Sequence, residues 1–355
     1  MSRTLKSYVV AVIAVGLVVL SLFVSACGTV MQLPKQADVG VSVTDSIGRR
    51  LELPHTVKRA AVSNAYNAEL IIAIGAAEAI VGVDSYIYRD KEGFGYRFTE
   101  NQLIGKNQRE LNYEKIIELK PDVLILTDNG GWKEAEEKLR PFDIPVIVVN
   151  AYYTNEFESN VALLGTVFGR EAQAAEFSDY FMSKVSYIRA QLRDIPQRSV
   201  YFEYRSPGRT TIPGDYFYPM LEIAHADNVF KDAASHTIDV EAVPQANPSY
   251  IVKVSDVGVD SSLVPPTEED AERIYEGIVT RPGWDEIEAV KNNRILLMSH
   301  YVHGGASKLI GAMYIAKFLY PEYLPDLHPE EIFEAWTTRY EGISYHERHT
   351  KPAVH

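Results

Sequence analysis

The residues of this chain placed to do chemistry are mainly tyrosines and arginines, with two closely spaced histidines. Tyr66 stands in a polar loop, Tyr86 and Tyr88 follow an apolar run, and Tyr204 leads into Arg205 beside Pro207 and Gly208. Arg109 and Asn129 fall in further polar segments, and His300, Tyr301 and His303 share one short loop ahead of Gly304 and Gly305. A tyrosine presents a flat apolar face with a hydroxyl at its end, which suits a large planar or catecholate-bearing molecule. An arginine fork makes paired bonds to carboxylates and other anionic oxygens. Walls made of these types suit an anionic metal chelate, and Arg205, at a strand end beside proline and glycine, is the first candidate among them. Each tyrosine could equally be plain packing with a satisfied hydroxyl. His225, His236, His300 and His303 show no ligand spacing such as HExxH, so direct zinc or manganese binding is a weaker reading.

The elements that must position these residues alternate. Short apolar runs at 60–63, 80–83, 123–126 and 146–149 read as strands, with helical spacing at 68–75, 113–119 and 132–139 between them. The pattern restarts at 200–204, followed by strands at 250–254 and 295–298 and helices at 217–225, 240–245 and 308–319. Such β-α-β-α order predicts α/β halves, each with a mostly parallel central sheet. Residues 41–54 alternate apolar and polar types around a turn at 45–48, which predicts a hairpin. In parallel sheets ligands sit outside the carboxyl ends of the strands, and the candidate residues lie on loops that leave strands at those ends.

Between the halves, Phe177, Phe181, Val185, Ile188 and Leu192 recur at spacings of four, four, three and four. That is one apolar stripe on a helix, opened after Gly169 and stopped by Pro196. At 1.5 Å per residue it reaches roughly 35–40 Å, long enough to act as a rigid spine. The expected organisation is a signal peptide at 1–26, a tether at 27–43, an N-terminal lobe at 44–168 and a linking helix at 169–196. A C-terminal lobe at 197–345 and a loose polar tail at 346–355 complete it.

The formal net charge of −13 over 355 residues argues against nucleic acid as a partner. A single cysteine, Cys27, excludes an intramolecular disulfide. Arg3 and Lys6 precede an apolar run at 8–24, and Val24, Ser25 and Ala26 then lead into Cys27, as at the cut site of a secretory signal. No Gly-x-Ser-x-Gly elbow, Gly-x-x-x-x-Gly-Lys loop or Gly-x-Gly-x-x-Gly turn occurs, so no enzyme signature is present.

Several stretches in order point to a family. VTDSIGRRLELP at 43–54, AELIIAIG at 68–75 with IVGVD at 80–84, and NYEKIIELKPDVLI at 112–125 are joined by RPGWD at 281–285 and VKNNRIL at 290–296. The chain resembles the periplasmic binding proteins for iron–siderophore, haem and cobalamin uptake, whose two Rossmann-like lobes are joined by one rigid helix. The resemblance implies capture of a ferric siderophore or related metal chelate between the lobes, with no resident cofactor, and delivery to an ABC permease and ATPase complex by a monomer. Haem or cobalamin is the alternative cargo, with His300, His303 and the cleft tyrosines as axial ligands for haem iron. It also implies that Glu114 and Glu241, each opening a helix, dock on permease arginines; a carboxylate there is favoured by the helix dipole in any case. The segment ending in Cys27 resembles a bacterial lipobox, which implies a lipid anchor on the extracytoplasmic face of the membrane; an uncleaved membrane anchor is the alternative, and either would tether the chain there.

Overall fold

The computed structural model describes residues 40–95, 97–256, 266–345 and 350–352. The signal segment and Cys27 lie outside the described residues. The first half opens with an antiparallel hairpin of β1 (Val41–Thr44) and β2 (Arg50–Leu53), as the alternation predicts. It continues with β3 (Ala60–Val62), α1 (Ala65–Ala73), β4 (Ile80–Val83), and the short helices α2 (Ser85–Arg89) and α3 (Lys91–Phe94). A small hairpin of β5 (Gly105–Asn107) and β6 (Glu110–Leu111) precedes α4 (Tyr113–Leu119), β7 (Val123–Leu126), α5 (Trp132–Leu139) and β8 (Val146–Val148). The four longer-range strands form one parallel sheet in the order β4-β3-β7-β8.

Two helices then pack against each other, α6 (Phe157–Phe168) and α7 (Glu171–Leu192). Gly169, with φ of 63°, closes α6 in the left-handed region, so it ends that helix as well as preceding the next. A Cβ on Gly165 would lie 2.6 Å from the Ala174 Cβ, and only glycine lets the two helices approach so closely. The spine is thus 171–192, shorter than the expected 169–196. It ends four residues before Pro196, which stands in the connection to the next strand.

The second half holds β9 (Arg198–Tyr204), α8 (Tyr218–Ile223), β10 (Ala226–Asn228), α9 (Ala242–Ala246), β11 (Tyr250–Val254), α10 (Glu268–Val279), α11 (Glu288–Lys291) and β12 (Ile295–Met298). After it come α12 (Gly305–Leu319), α13 (Pro329–Ala335) with a π-helical turn at Trp336–Tyr340, and β13 (Thr350–Pro352). The sheet order is β10-β9-β11-β12-β13, parallel except for β13. Two boundaries need correction. The stretch expected as tether to residue 43 already contains β1, with Val43 buried. The tail expected to be loose supplies β13, because the free edge of β12 offers unpaired backbone groups.

The sheets are separate, but the core behind them is not. One apolar cluster runs from Val62 and Ile125 in the first sheet, through Phe177, Phe181 and Ile188 of α7, to Val200, Val254 and Met298 in the second. All five stripe residues of α7 are at most 1% exposed. Phe177 and Phe181 lie 5.3 Å apart by ring centroid and meet Phe157, Trp336 and Tyr340. The halves are therefore fused at the back rather than merely held apart by a rod. Phe181→Ala should lower stability by about 3–5 kcal/mol in urea unfolding; a loss below about 1 kcal/mol would mean that this core does not join the halves.

Candidate functional site

The loops leaving the carboxyl ends of both sheets meet at one cleft. On the first half Asp84, at the end of β4, organises two of them. It accepts from Ser63 Oγ at 2.6 Å and Asn64 N at 3.0 Å, and its other oxygen caps α2 through Tyr86 N and Ile87 N. Asn64, at φ of 97°, in turn caps α1 by accepting from the backbone N–H of Tyr66 and Asn67. Two capping side chains thus fix Tyr66 and Tyr86 at neighbouring helix starts.

On the second half the chain turns sharply after β9. Arg205 has φ of 56°, a left-handed conformation that costs a non-glycine residue about 1–2 kcal/mol. Its N–H donates to Val254 O at 2.8 Å, and its carbonyl accepts from Lys253 Nζ at 2.5 Å. Lys253 also donates to Glu203 at 2.8 Å, and Arg281 grips the same carboxylate with two nitrogens at 2.8 and 2.9 Å. Burial raises the Glu203 carboxyl, but Arg281 and Lys253 outweigh it and hold the group below its ordinary value. This buried network sets the turn that carries Arg205. The Arg205 guanidinium lies 5.0 Å from the Tyr204 ring centroid, and Arg209 lies 5.3 Å from the same ring.

The halves meet where the Tyr66 ring covers Gly304, at which a Cβ would fall 2.5 Å from the ring. Tyr66, Tyr86 and His300 line a cavity of about 300 Å³ together with Glu69, Asp84 and Asp90. His300 stacks at 6.4 Å on Tyr204. Burial, reinforced by nearby Arg205, pushes its imidazole down to about 4, so the ring is neutral at pH 7. A second cavity of about 470 Å³ opens between Asp128, Asn129, Tyr152, Asp215 and Tyr216. Arg109 reaches this rim, with Nε donating to Asn129 O at 2.9 Å.

The structure thus brings together Tyr66, Tyr86, Tyr204, Arg205 and His300, and sets Arg109 with Asn129 nearby. It does not bring Tyr301 to the cleft. That residue is 5% exposed and stacks on Phe333 at 4.3 Å, because the short 3-10 turn of 300–303 rotates it into the core. Tyr88 lies on α2 rather than in a loop, with Lys91 Nζ 3.6 Å from its ring centroid, and does not line either cavity. The His303 side chain lies outside the described residues. Glu114 and Glu241 are exposed at the starts of α4 and α9, one on each half.

Sequence reasoning missed Glu69, Asp128, Tyr216 and Lys308. Lys308 had a visible signal, a cation inside the apolar run of α12. It is fully buried, and its Nζ donates to Tyr152 O at 2.6 Å and Tyr216 O at 3.0 Å. One carbonyl comes from each half, so this ammonium ties the two sides of the second cavity. Burial lowers its pKa to about 7, against the opposing pull of Asp215.

Comparison with known proteins agrees with this architecture. The sequence profile described as periplasmic binding protein matches residues 60–301. The molybdate-binding protein MolA of Haemophilus influenzae is 23% identical over 85% of this chain and 91% of its own length. YvrC of Bacillus subtilis, described as an ABC transporter substrate-binding lipoprotein, is 24% identical over 79% of this chain and 86% of its own. Among solved structures, a TroA-like periplasmic binding protein, FepB, from Veillonella parvula superimposes with a TM-score of 0.73 at 21% identity. That alignment covers 88% of this chain and 100% of the other.

The tie at Lys308 has a pH signature. Unfolded, its amine titrates near 10.5; folded, near 7. Between those values the unfolded chain binds the extra proton, so stability rises with pH. Wild type should therefore gain stability relative to Lys308→Met from pH 7 towards 10.5, with a flat difference below about 7. Parallel curves across that window, in urea unfolding, would contradict it.

Proposed function

Because the chain belongs to the periplasmic binding protein family, the non-enzymatic solute-binding components of ABC transporters, we propose that its cleft captures a ferric siderophore or related metal chelate. The observation that carries this reading is the convergence of Tyr66, Tyr86, His300 and the Arg205-capped Tyr204 from the carboxyl ends of two sheets. Aromatic faces suit a bulky chelate, and the guanidinium suits its anionic oxygens. Among the described residues no three histidine, cysteine or carboxylate side chains converge as a metal nest. The walls therefore fit a cargo that brings its own donors better than a bare ion.

A second reading, haem, rests on His300. A neutral imidazole at the cavity can serve as an axial iron ligand. A Soret band on the purified protein would favour haem and displace the siderophore.

The protein works outside the cytoplasm and delivers its cargo to a membrane permease with its ATPase. Lipid attachment at Cys27 is our reading of the sequence, supported by the lipoprotein relative in Bacillus subtilis. Glu114 and Glu241 are exposed, one per half, and are described in no ion pair, which leaves them available to permease arginines.

Titration of the intrinsic fluorescence against haem, cobalamin and a panel of ferric siderophores tests the cargo, and a siderophore should give the tightest response. Arg205→Ala should then weaken that chelate by about 1–3 kcal/mol, and unchanged affinity would remove Arg205 from the site. Combining Glu114→Ala with Glu241→Ala should leave chelate affinity intact and impair uptake in reconstituted vesicles. Normal transport by the double variant would end the docking assignment.

A further inference from the structure

The smaller cavity has an acidic floor that the anionic chelate reading does not use. Of its three carboxylates, Asp84 is committed to capping, as described above, and Asp90 accepts from Gly93 N at 2.9 Å. Glu69 is different. Its Oε2 is buried with no hydrogen-bond partner among the described residues. It lies 2.9 Å from where a Cβ on Gly305 would stand, so the backbone of α12 approaches it as only glycine allows.

Behind Glu69 lies a second acid. Glu341, just past the π-helical turn, is 2% exposed, and neither of its carboxylate oxygens has a hydrogen-bond partner among the described residues. The nearest cation, Arg97, does not discharge it by direct contact. Its guanidinium donates to the backbone carbonyls of Glu341 and Phe94 instead. Glu69 is partly buried with one oxygen sealed from solvent, Glu341 is fully buried, and the two lie within electrostatic reach of each other with Tyr301 in the field of both. Burial raises both carboxyls well above the ordinary range; Asp90 adds to the effect on Glu69, and Glu69 adds to that on Glu341. Ionising such an acid without a partner is costly, and an incoming cation offsets that cost.

We propose that the floor of this cavity is a cation subsite, in which Glu69, backed by Glu341, receives an ammonium or guanidinium arm of the cargo. The proposal rests on the reading of the cleft as a chelate site and narrows the cargo to bipolar chelates. The anionic part faces Arg205 on the His300 side of the cavity, and the cationic arm reaches past Tyr66 to Glu69. Tyr66, Asp90, Tyr301 and Glu341 act on Glu69 or share its field, and the neutral His300 shares its cavity wall; none is a cation, and beyond the helix dipole at the start of α12 the charge that would pair Glu69 is left to the guest. Burial and the neighbouring Asp90 favour the protonated form of Glu69 in the empty protein. A bound cation favours its charged form, so binding releases that proton and tightens as pH rises.

The subsite can be tested apart from the chelate. In saturation-transfer NMR on the full chain, n-butylguanidinium should bind in preference to n-butanol, and Glu69→Gln should abolish that preference. Equal signals from the two probes with wild type would overturn the subsite. A ferric trihydroxamate with a pendant ammonium arm and its N-acetylated form then test the cargo by calorimetry. Wild type should favour the ammonium form at least tenfold and release protons on binding it, and Glu69→Gln should lose both effects. Equal affinity for the two forms would overturn the arm assignment while leaving the chelate reading intact. Retained n-butylguanidinium binding with both chelates rejected would keep the subsite and count against the chelate reading instead.

Discussion

The two sheets of this protein share one apolar core, and the geometry of the cleft depends on that sharing. Phe177 and Phe181 pack against Phe157 on one side and Trp336 on the other, so α7 is buried along its stripe rather than laid across a surface. Opening the halves like a hinge would uncover such rings. Each phenylalanine returned to water costs about 1.5–3 kcal/mol in transfer free energy alone. Ligand binding supplies a limited free energy, and most of it would be consumed by uncovering two rings. The cleft can therefore adjust by loop movements and small lobe rotations, but a wide closure works against its own foundation.

Within that frame, buried charge does positional work. Glu203, Lys253 and Arg281 form a closed network inside the second half, and such networks add little net stability after their desolvation is counted. Its consequence here is local: the Lys253 ammonium holds the Arg205 carbonyl, and the backbone at Arg205 stays in a conformation that it would otherwise leave. Lys308 acts in the same way between the halves, gathering one carbonyl from Tyr152 and one from Tyr216. In both places an unusual burial of a lysine is explained by what its ammonium holds in place.

Much of this was legible in the sequence, and the reasons are physical. The buried strands Val123–Leu126, Tyr250–Val254 and Ile295–Met298 are continuous apolar runs because helices cover both faces of a parallel sheet. The stripe of α7 was readable because helical periodicity survives over 22 residues. The elements that escaped were those whose pattern is weak, such as β13, which is held by a neighbour's edge rather than by its own composition. At the cleft, residue type and position after a strand made Tyr66, Tyr204 and Arg205 candidates, and the structure places Tyr66 on the cavity wall and Tyr204, with Arg205, beside His300. Type and position could not tell Tyr301 from its neighbour His300, since one residue of rotation in a 3-10 turn separates a ring in the core from a ring at the cavity. Glu69 gave no signal, because nothing in α1 alone reveals that the start of α12 approaches it.

The charge of the whole chain also misleads about the cleft. A net charge of −13 is spread over the molecule, and screening confines each exposed charge to about 8–10 Å in physiological salt. The groups nearest the cavity are few: a neutral imidazole at His300, guanidinium groups over the Tyr204 ring that it stacks on, and the carboxylates of the cavity wall. In the desolvated interior those groups interact more strongly than they would at the surface. An order of charges along the cavity would discriminate between guests of equal size and equal net charge, and such an order arises only when the loops of two sheets are fixed against each other.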